Sequence, residues 1–467
     1  MSKMHILHYL YGIPPYRGGG MIKYALDLIE AEENMGYKVS LLYPGSIYKR
    51  NSSHIKIKKE ASHQRTDCYR IQNPLPIPLG SGIKDFEWYM SEAGFQVYIK
   101  FLKNVKPDVI HVHSLMGIHE SFFRAAKQLK IRIVYTSHDY FGLCPVMTLM
   151  KEEQNCTEKD WGKCSVCCRN AFSTTHLILD QAAVVQRILQ TTAGKRILDL
   201  LTQFKARVIL KRETESVQSV SDTQSKDVVY TEIPEYQKLE RHYKNIFEKI
   251  DFYHFNSEIS KIEFMKRIGD VKHCVIPITN SSCTDRRRKR NYGSTLQIGF
   301  LGGNNVFKGF SILYDSVREL YEEGCDVILN TYFGTVSSKE EFWQQHQPYS
   351  DSEMEAVMNE NDVILVPSIW KETFGLVVME ALSYGLPVIV SEHVGARILL
   401  EGKEEMGKIL HGDLRSEIKK CLRELSVNKS ILERWNDNIC KAELEFSMEK
   451  HGKKIVDICY EEEYEKK

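Results

Sequence analysis

Residues 362–391 read DVILVPSIWKETFGLVVMEALSYGLPVIVS. Val363 to Val366 are apolar without alternation, which predicts a short strand buried on both faces, ending at Pro367-Ser368. A loop holding Glu372-Thr373-Phe374-Gly375 then enters a helical pattern that stops at Gly385, and a second apolar run covers 386–391. Strand, loop, helix and strand in this order make one βαβ unit of a parallel sheet. Ligands of such sheets sit beyond the carboxyl ends of the strands. A glycine-containing loop entering a helix there offers unpaired backbone N–H groups and a positive dipole end to a phosphate. Glu380 lies about two helical turns further on, and an ionised carboxylate, being acceptor-only, suits sugar hydroxyls.

The same cadence extends outward. Residues 4–10 read as a buried strand, followed by Gly12 and a loop from Pro14 to Gly20. A helix with Ile22, Ala25, Leu26 and Ile29 on one face stops near Gly36, and Lys38 to Tyr43 is the next strand. Residues 108–113 and 131–137 repeat the strand pattern around a helix at 118–129. The cadence breaks over 173–250, a polar, mostly helical insert with a loop at 214–232, and resumes at Phe252. Residues 277–295, with the run Arg286-Arg287-Arg288-Lys289-Arg290, read as a solvated interdomain linker. Leu296 to Leu301 forms a strand ending in Gly302-Gly303. Beyond it lie a helix with Phe310, Leu313, Val317 and Leu320 and a strand at 326–332. The expected fold class is α/β, with two Rossmann-like doubly wound units facing a cleft.

Composition narrows the function classes. The chain has 467 residues, with 63 Lys plus Arg against 62 Asp plus Glu. A net charge of +1 excludes an overall field built for nucleic acid. The N-terminus lacks the apolar core of a signal peptide, and no window has the apolar length of a spanning helix. A cytoplasmic protein is expected. In a reducing compartment, close-set cysteines favour metal or free thiols over disulfides. Five of the twelve cysteines fall between Cys144 and Cys168. The spacing Cys144-x11-Cys156-x7-Cys164-x2-Cys167 can supply four thiolates to a closed structural zinc site; the other reading is unliganded thiols.

The sequence resembles glycosyltransferase family 4, whose members have the GT-B fold. The resemblance is carried by Glu372 and Glu380 with the intervening TFGLVVM, by Gly385-Leu386-Pro387-Val388, by Gly299 to Gly302 with Lys308-Gly309, and by Pro15 to Gly20. It implies an N-terminal acceptor domain over 1–285 and a donor domain over 286–445, with a C-terminal helix at 446–467 returning to the first. It also implies a retaining glycosyltransferase with no catalytic metal. A sugar would pass from a nucleotide diphosphate donor to a glycan or lipid-linked hydroxyl in surface-polysaccharide assembly.

Within that resemblance, Glu380 would hold the ribose, and Glu372 would face the transferred sugar beside Phe374 and Gly375. The Leu376 and Val377 amides and Gly302 would meet the diphosphate. Lys308 would neutralise the leaving group. Gly19 and Gly20 would let backbone approach the phosphates across the cleft. His138 matches a family histidine near the sugar. The pattern His138-Asp139-x4-Cys144-Pro145 resembles a family subset with further cysteines.

Where the family carries an arginine five residues before the lysine, this chain has Gly303, so either another residue, Arg17 or Arg397, supplies the second cation or donor binding is weaker. Residues 176–212, with Lys195, Arg196, Lys205, Arg207, Lys211 and Arg212, read as packed helix or as a peripheral contact with an anionic membrane. The rival functions are another GT-B activity, such as a sugar-nucleotide epimerase, and a catalytically inactive scaffold.

Overall fold

In the computed structural model, residues 3–461 are described except 51, 152–153, 158–159, 183–184, 186–187, 189–190, 192–232, 304, 335–339 and 403–404. The basic residues Lys195 to Arg212 and the loop at 214–232 therefore lie outside the described residues, as does the acidic end beyond Glu461.

The first unit carries strands β1 (His5–Tyr9), β2 (Lys38–Pro44), β3 (Lys56–Lys59), β4 (Asp67–Gln72), β5 (Val109–Val112) and β6 (Arg132–Ser137). A short hairpin of β7 (Met150–Lys151) and β8 (Gln154–Asn155) follows in the cysteine loop, then β9 (Phe252–Phe255) and β10 (His273–Val275). They assemble as β10-β9-β6-β5-β1-β2-β4-β3. Every pairing in this sheet is parallel except β3 with β4, which closes one edge. The second unit orders β11 (Leu296–Phe300), β12 (Val327–Thr331), β13 (Trp343–Gln345), β14 (Val363–Val366), β15 (Val388–Ser391) and β16 (Gly407–Leu410) as β13-β12-β11-β14-β15-β16, all parallel. This is the GT-B architecture. Its central strands are apolar because helices cover both faces of a parallel sheet: Ile6, Leu7, Ile110, Val363, Ile364 and Val388 are all solvent-inaccessible.

Strands β3 and β4 were not visible as a pattern. Lys56–Lys59 is a charged edge strand, and charge on an edge discourages pairing with another chain. The described ends of the insert are not separate from the first unit. Helix Thr174–Asp180 buries Leu177 against Ile47 and Trp88. Helix Ile233–Phe247 puts Tyr236, Leu239, Tyr243, Ile246 and Phe247 into the N-terminal core. After the second unit, helix Met448–Ile455 lies on the first helix, Gly20–Asn34, with the Tyr24 hydroxyl 2.9 Å from His451 Nε2. Among the described residues, no helix is long and apolar enough to cross a membrane.

The basic run corrects one expectation. Arg286, Arg288 and Lys289 are exposed, but Arg287 and Arg290 are not a solvated linker. Arg287 Nη1 donates to the carbonyls of Ile439 and Ala442, both at 2.7 Å. Arg290 Nη2 donates to those of Met358 at 2.8 Å and Asn361 at 2.7 Å. These arginines bring side-chain donors to carbonyls at helix ends, where intrahelical donors run out. Arg290→Ala should therefore cost about 1.5–3 kcal/mol in urea unfolding, the range for hydrogen bonds to a charged group. Lys289→Ala should stay within about 0.5 kcal/mol; equal effects would return the whole run to solvent.

Candidate active site

The site begins where two loops of the second unit touch. Gly309 has φ of 76°, and a Cβ built there would run into the carbonyl oxygen of Pro367. Only glycine permits both that conformation and that approach. The contact brings Lys308, in the turn after β11, over the segment that follows β14. Lys308 Nζ pairs with Glu372 Oε1 and lies 5.7 Å from the centre of the Trp370 ring. The other carboxylate oxygen of Glu372 accepts from Ser368 Oγ at 2.7 Å. The Glu372 main chain bridges to Val394 and accepts from Gly395 N at 3.0 Å.

Gly375, with φ of 103°, starts helix Leu376–Ser383. Its first N–H groups have no intrahelical acceptor, and the positive end of the helix dipole lies with them. Glu380 sits on the same helix, buried to 8% exposure, and accepts from Asn280 Nδ2 at 3.0 Å. Burial raises its pKa, and the Asn280 bond and the nearby Lys23 ammonium oppose that rise.

The first unit supplies the facing wall. Gly20, Met21, Lys23, His138 and Asn256 join Gly302, Lys308, Trp370, Glu372 to Val377 and Glu380 around a cavity of about 480 Å³, within the span of small-molecule sites. The halves are tied together at its floor. Thr373 Oγ1 donates to the His138 carbonyl at 2.9 Å, and Ser257 Oγ donates to the Thr373 carbonyl. His138 Nε2 is 3.2 Å from His113 Nδ1, and burial pushes the His138 pKa down to about 3. It is a neutral imidazole at ordinary pH, suited to hydrogen bonding and not to carrying positive charge.

Ten residues singled out from sequence line this cavity: Gly20, His138, Gly302, Lys308, Glu372, Phe374, Gly375, Leu376, Val377 and Glu380. Gly19 is not among its lining residues; with φ of 113° it precedes the helix that carries Gly20. Neither Arg17 nor Arg397 lines it either. Arg17 pairs with Asp180 of the insert, and Arg397 is held by the Glu392 carbonyl and Glu401. Lys23 is the cation that sequence reading passed over. It pairs with Asp351 at the Glu380 end of the cavity, away from Lys308. Asn280 was read as part of a linker, yet it holds Glu380. Trp370 Nε1 and Asn256 Nδ2, both buried beside the cavity, have no hydrogen-bond partner among the described residues.

The cysteine loop lies elsewhere in the first unit. Cys164 and Cys167 share the short helix Trp161–Cys167, and the fields of Cys144, Cys156, Cys167 and Cys168 add to burial in raising the Cys164 pKa. Among the described residues, the group that brings three ligand-type atoms within 4.8 Å of one another is His8, His111 and His113, not the cysteines.

Two family matches fit this geometry: "Glycosyltransferase Family 4" over residues 18–154 and "Glycosyl transferases group 1" over 339–441. An uncharacterized 41.2 kDa protein in the cps region of Klebsiella pneumoniae is 25% identical over 303 residues, 64% of this chain and 63% of that protein. D-inositol 3-phosphate glycosyltransferase from Corynebacterium glutamicum (strain R) is 27% identical over 180 residues, 34% of this chain and 42% of that enzyme. The chain thus spans less than two thirds of the length of these relatives. Anabaena HepE, solved in complex with UDP and glucose, superposes with a TM-score of 0.54 at 13% identity, covering 97% of this chain and 98% of that one.

His138 also sets a pH dependence. Its native pKa of about 3 lies below the ordinary 6.5, so between these values the unfolded chain binds the extra proton. Stability then rises with pH through that window and is lost on acidification. In urea unfolding from pH 6 to pH 4, His138→Gln should flatten the slope by up to about 1.4 kcal/mol per pH unit. An unchanged slope would mean that the native ring is not kept neutral.

Proposed function

We propose that this chain, which belongs to glycosyltransferase family 4, transfers a sugar from a nucleotide diphosphate donor to a hydroxyl of a glycan or lipid-linked acceptor, with retention. The observation that carries the reading is the grouping of Lys308, Glu372, the amides of Leu376 and Val377, and Glu380 along one wall, with His138 facing them. Glu380 accepts from ribose hydroxyls. The helix amides and Lys308 take the diphosphate, which replaces Glu372 as partner of the ammonium. Glu372 is then free to accept from hydroxyls of the transferred sugar.

In the step itself, the acceptor oxygen approaches the anomeric carbon from the face the diphosphate leaves. The bond from that carbon to the phosphate oxygen breaks, its electron pair stays on the phosphate, and that oxygen takes the acceptor proton. Lys308 and the amides stabilise the charge that grows there. The cps-region relative and the UDP and glucose bound by HepE support surface-polysaccharide assembly and a nucleoside diphosphate donor. Contact with an anionic membrane belongs to the same proposal, since a lipid-linked acceptor would require it.

A second reading, binding without transfer, rests on Gly303. Its φ of 67° favours glycine, and open space surrounds it where the family has arginine. Lys308 is then the one cation at the diphosphate end among the described lining residues.

Calorimetric titration with UDP, GDP and ADP separates these readings. Wild type should bind one of them, and Glu380→Gln should weaken that binding about 10–100-fold, the value of a charge-assisted hydrogen bond. Lys308→Met should slow sugar transfer about 10²–10³-fold. Binding with no transfer to any acceptor fraction favours the second reading; failure to bind all three nucleotides sinks both.

The cysteine loop is read as a holder of structural zinc. The mutual field of Cys144, Cys156, Cys164 and Cys167 is one that a divalent cation would cancel. Elemental analysis should give about one zinc per chain in wild type and a large loss in Cys164→Ser. A ratio near zero in wild type retires the idea.

A further inference from the structure

A chain of eight hydrogen bonds runs unbroken through the interior of the first sheet. It starts at the cavity, where His138 Nε2 meets His113 Nδ1 at 3.2 Å; His113 Nε2 meets His8 Nδ1 at 3.0 Å, and His8 Nε2 meets Glu32 Oε2 at 2.7 Å. From Glu32 Oε1 it continues to the Tyr460 hydroxyl at 2.7 Å and on to His111 Nδ1 at 2.7 Å. His111 Nε2 meets Thr136 Oγ1 at 2.6 Å, Thr136 meets His254 Nδ1 at 3.0 Å, and His254 Nε2 ends the chain on the Ile276 carbonyl at 2.8 Å. His8, Glu32, His111, His113, Thr136 and His254 are wholly buried. The register creates the chain, since His8 lies opposite His111 and Thr136 opposite His254 across neighbouring strands.

Hydrogen counting fixes its direction. Each of the eight contacts needs one hydrogen. Neutral imidazoles, Thr136 and Tyr460 bring one each, which makes seven, and an ionised Glu32 brings none. One further proton completes the chain and makes it electrically neutral, the state a fully buried network favours. The Ile276 carbonyl can only accept, so His254 Nε2 must donate. Wherever the eighth proton sits from Glu32 to His254, His8 Nε2 donates to Glu32, His113 Nε2 to His8, and His138 Nε2 to His113. A hydrogen on His138 Nδ1 would be one withdrawn from the chain, leaving one of its eight contacts with facing lone pairs and no hydrogen.

We propose that this chain holds His138 as the Nε2–H tautomer, with Nδ1 bare as a hydrogen-bond acceptor for a donor-sugar hydroxyl, and that His113, His8, Glu32 and Tyr460 are its positioning residues. The sugar assignment rests on the donor-site reading above; the tautomer does not. Tyr460 belongs to the C-terminal segment, so the end of the chain sets the hydrogen-bonding sense of a residue in the cavity wall.

Long-range ¹H–¹⁵N correlation on the full-length protein, labelled at histidine, tests the tautomer directly, with His138 assigned by its loss in His138→Gln. Wild type at pH 7 should show one neutral Nε2–H pattern for His138. Glu32→Gln should keep it, because the amide oxygen accepts from His8 while the NH₂ donates to Tyr460. Glu32→Met leaves His8 Nε2 without an acceptor, so the His138 pattern should become a mixture of tautomers. Where Glu32→Met fails to fold, His113→Met, which removes the neighbouring link, should give the same mixture. An Nδ1–H or imidazolium pattern in wild type, or an unchanged pattern in the folded methionine variant, overturns the proposal. A parallel titration with UDP, GDP and ADP keeps the two readings apart. The predicted pattern with none of the three bound sinks only the donor-site reading, and binding of any one with the wrong tautomer sinks only this one.

Discussion

The Glu372 carboxylate accepts from Lys308 on one oxygen and from Ser368 on the other, while its main chain bridges to Val394 and Gly395. Three loops at the carboxyl ends of β11, β14 and β15 are thereby held in one arrangement. The Glu372 side chain is only 10% exposed, and a charge so placed stands only with a partner, since removing one member of a buried pair costs far more than the pair contributes. The cavity wall depends on this pairing in two ways. It offsets the negative charge of an acidic side chain that sits close to the start of helix Leu376–Ser383, and it fixes the position of Lys308 in the cavity wall.

Tight backbone approaches make that arrangement possible. A Cβ on Gly309 would strike the Pro367 carbonyl, and one on Gly395 would strike the Thr373 carbonyl and the Ser257 hydroxyl. The second of these contacts lies where the first unit meets the second, next to the bond from Thr373 to the His138 carbonyl. The two units are therefore joined there by a hydroxyl from each side bonded to a main-chain carbonyl of the other. On the first unit's side, His138 rests on a polar seam inside the sheet. The seam is hydrogen-bonded from His138 to the Ile276 carbonyl, with Tyr460 of the C-terminal segment as a middle link.

Much of the fold was legible because buried parallel strands are written as continuous apolar runs. Residues 363–366 and 388–390 could be read with no neighbour known. Strands β3 and β4 could not, since neither the charged edge strand Lys56–Lys59 nor the half-polar Asp67–Gln72 beside it carries such a run. The cavity residues from Glu372 to Glu380 were legible because one loop and one helix deliver them in sequence order. Lys23, Asn256 and Asn280 were not, because each comes from an element with its own local explanation: a helix start, a strand end and a linker. Arg17 and Arg397 stood as candidate cations on sequence position alone, and both have carboxylate partners outside the cavity. The basic run misled for the same reason. Five neighbouring charges look solvated until the backbone carbonyls that two of them satisfy are seen.

The cysteine cluster shows the limit from the other side, because spacing can propose a ligand set but cannot say which sulfurs meet. Sequence by itself determined the two parallel-sheet units, their order along the chain, and the loop and helix that line the cavity. Local patterns suffice for these, since strand, turn and helix preferences act over a few residues. The tertiary structure alone decided which cations face the cavity, that Arg287 and Arg290 dock the linker, and that His138 stands at the end of a buried chain reaching Glu32 and Tyr460. Those facts depend on register between strands and on a C-terminal segment returning from the far end of the chain, and such long-range pairings leave no trace in any local window.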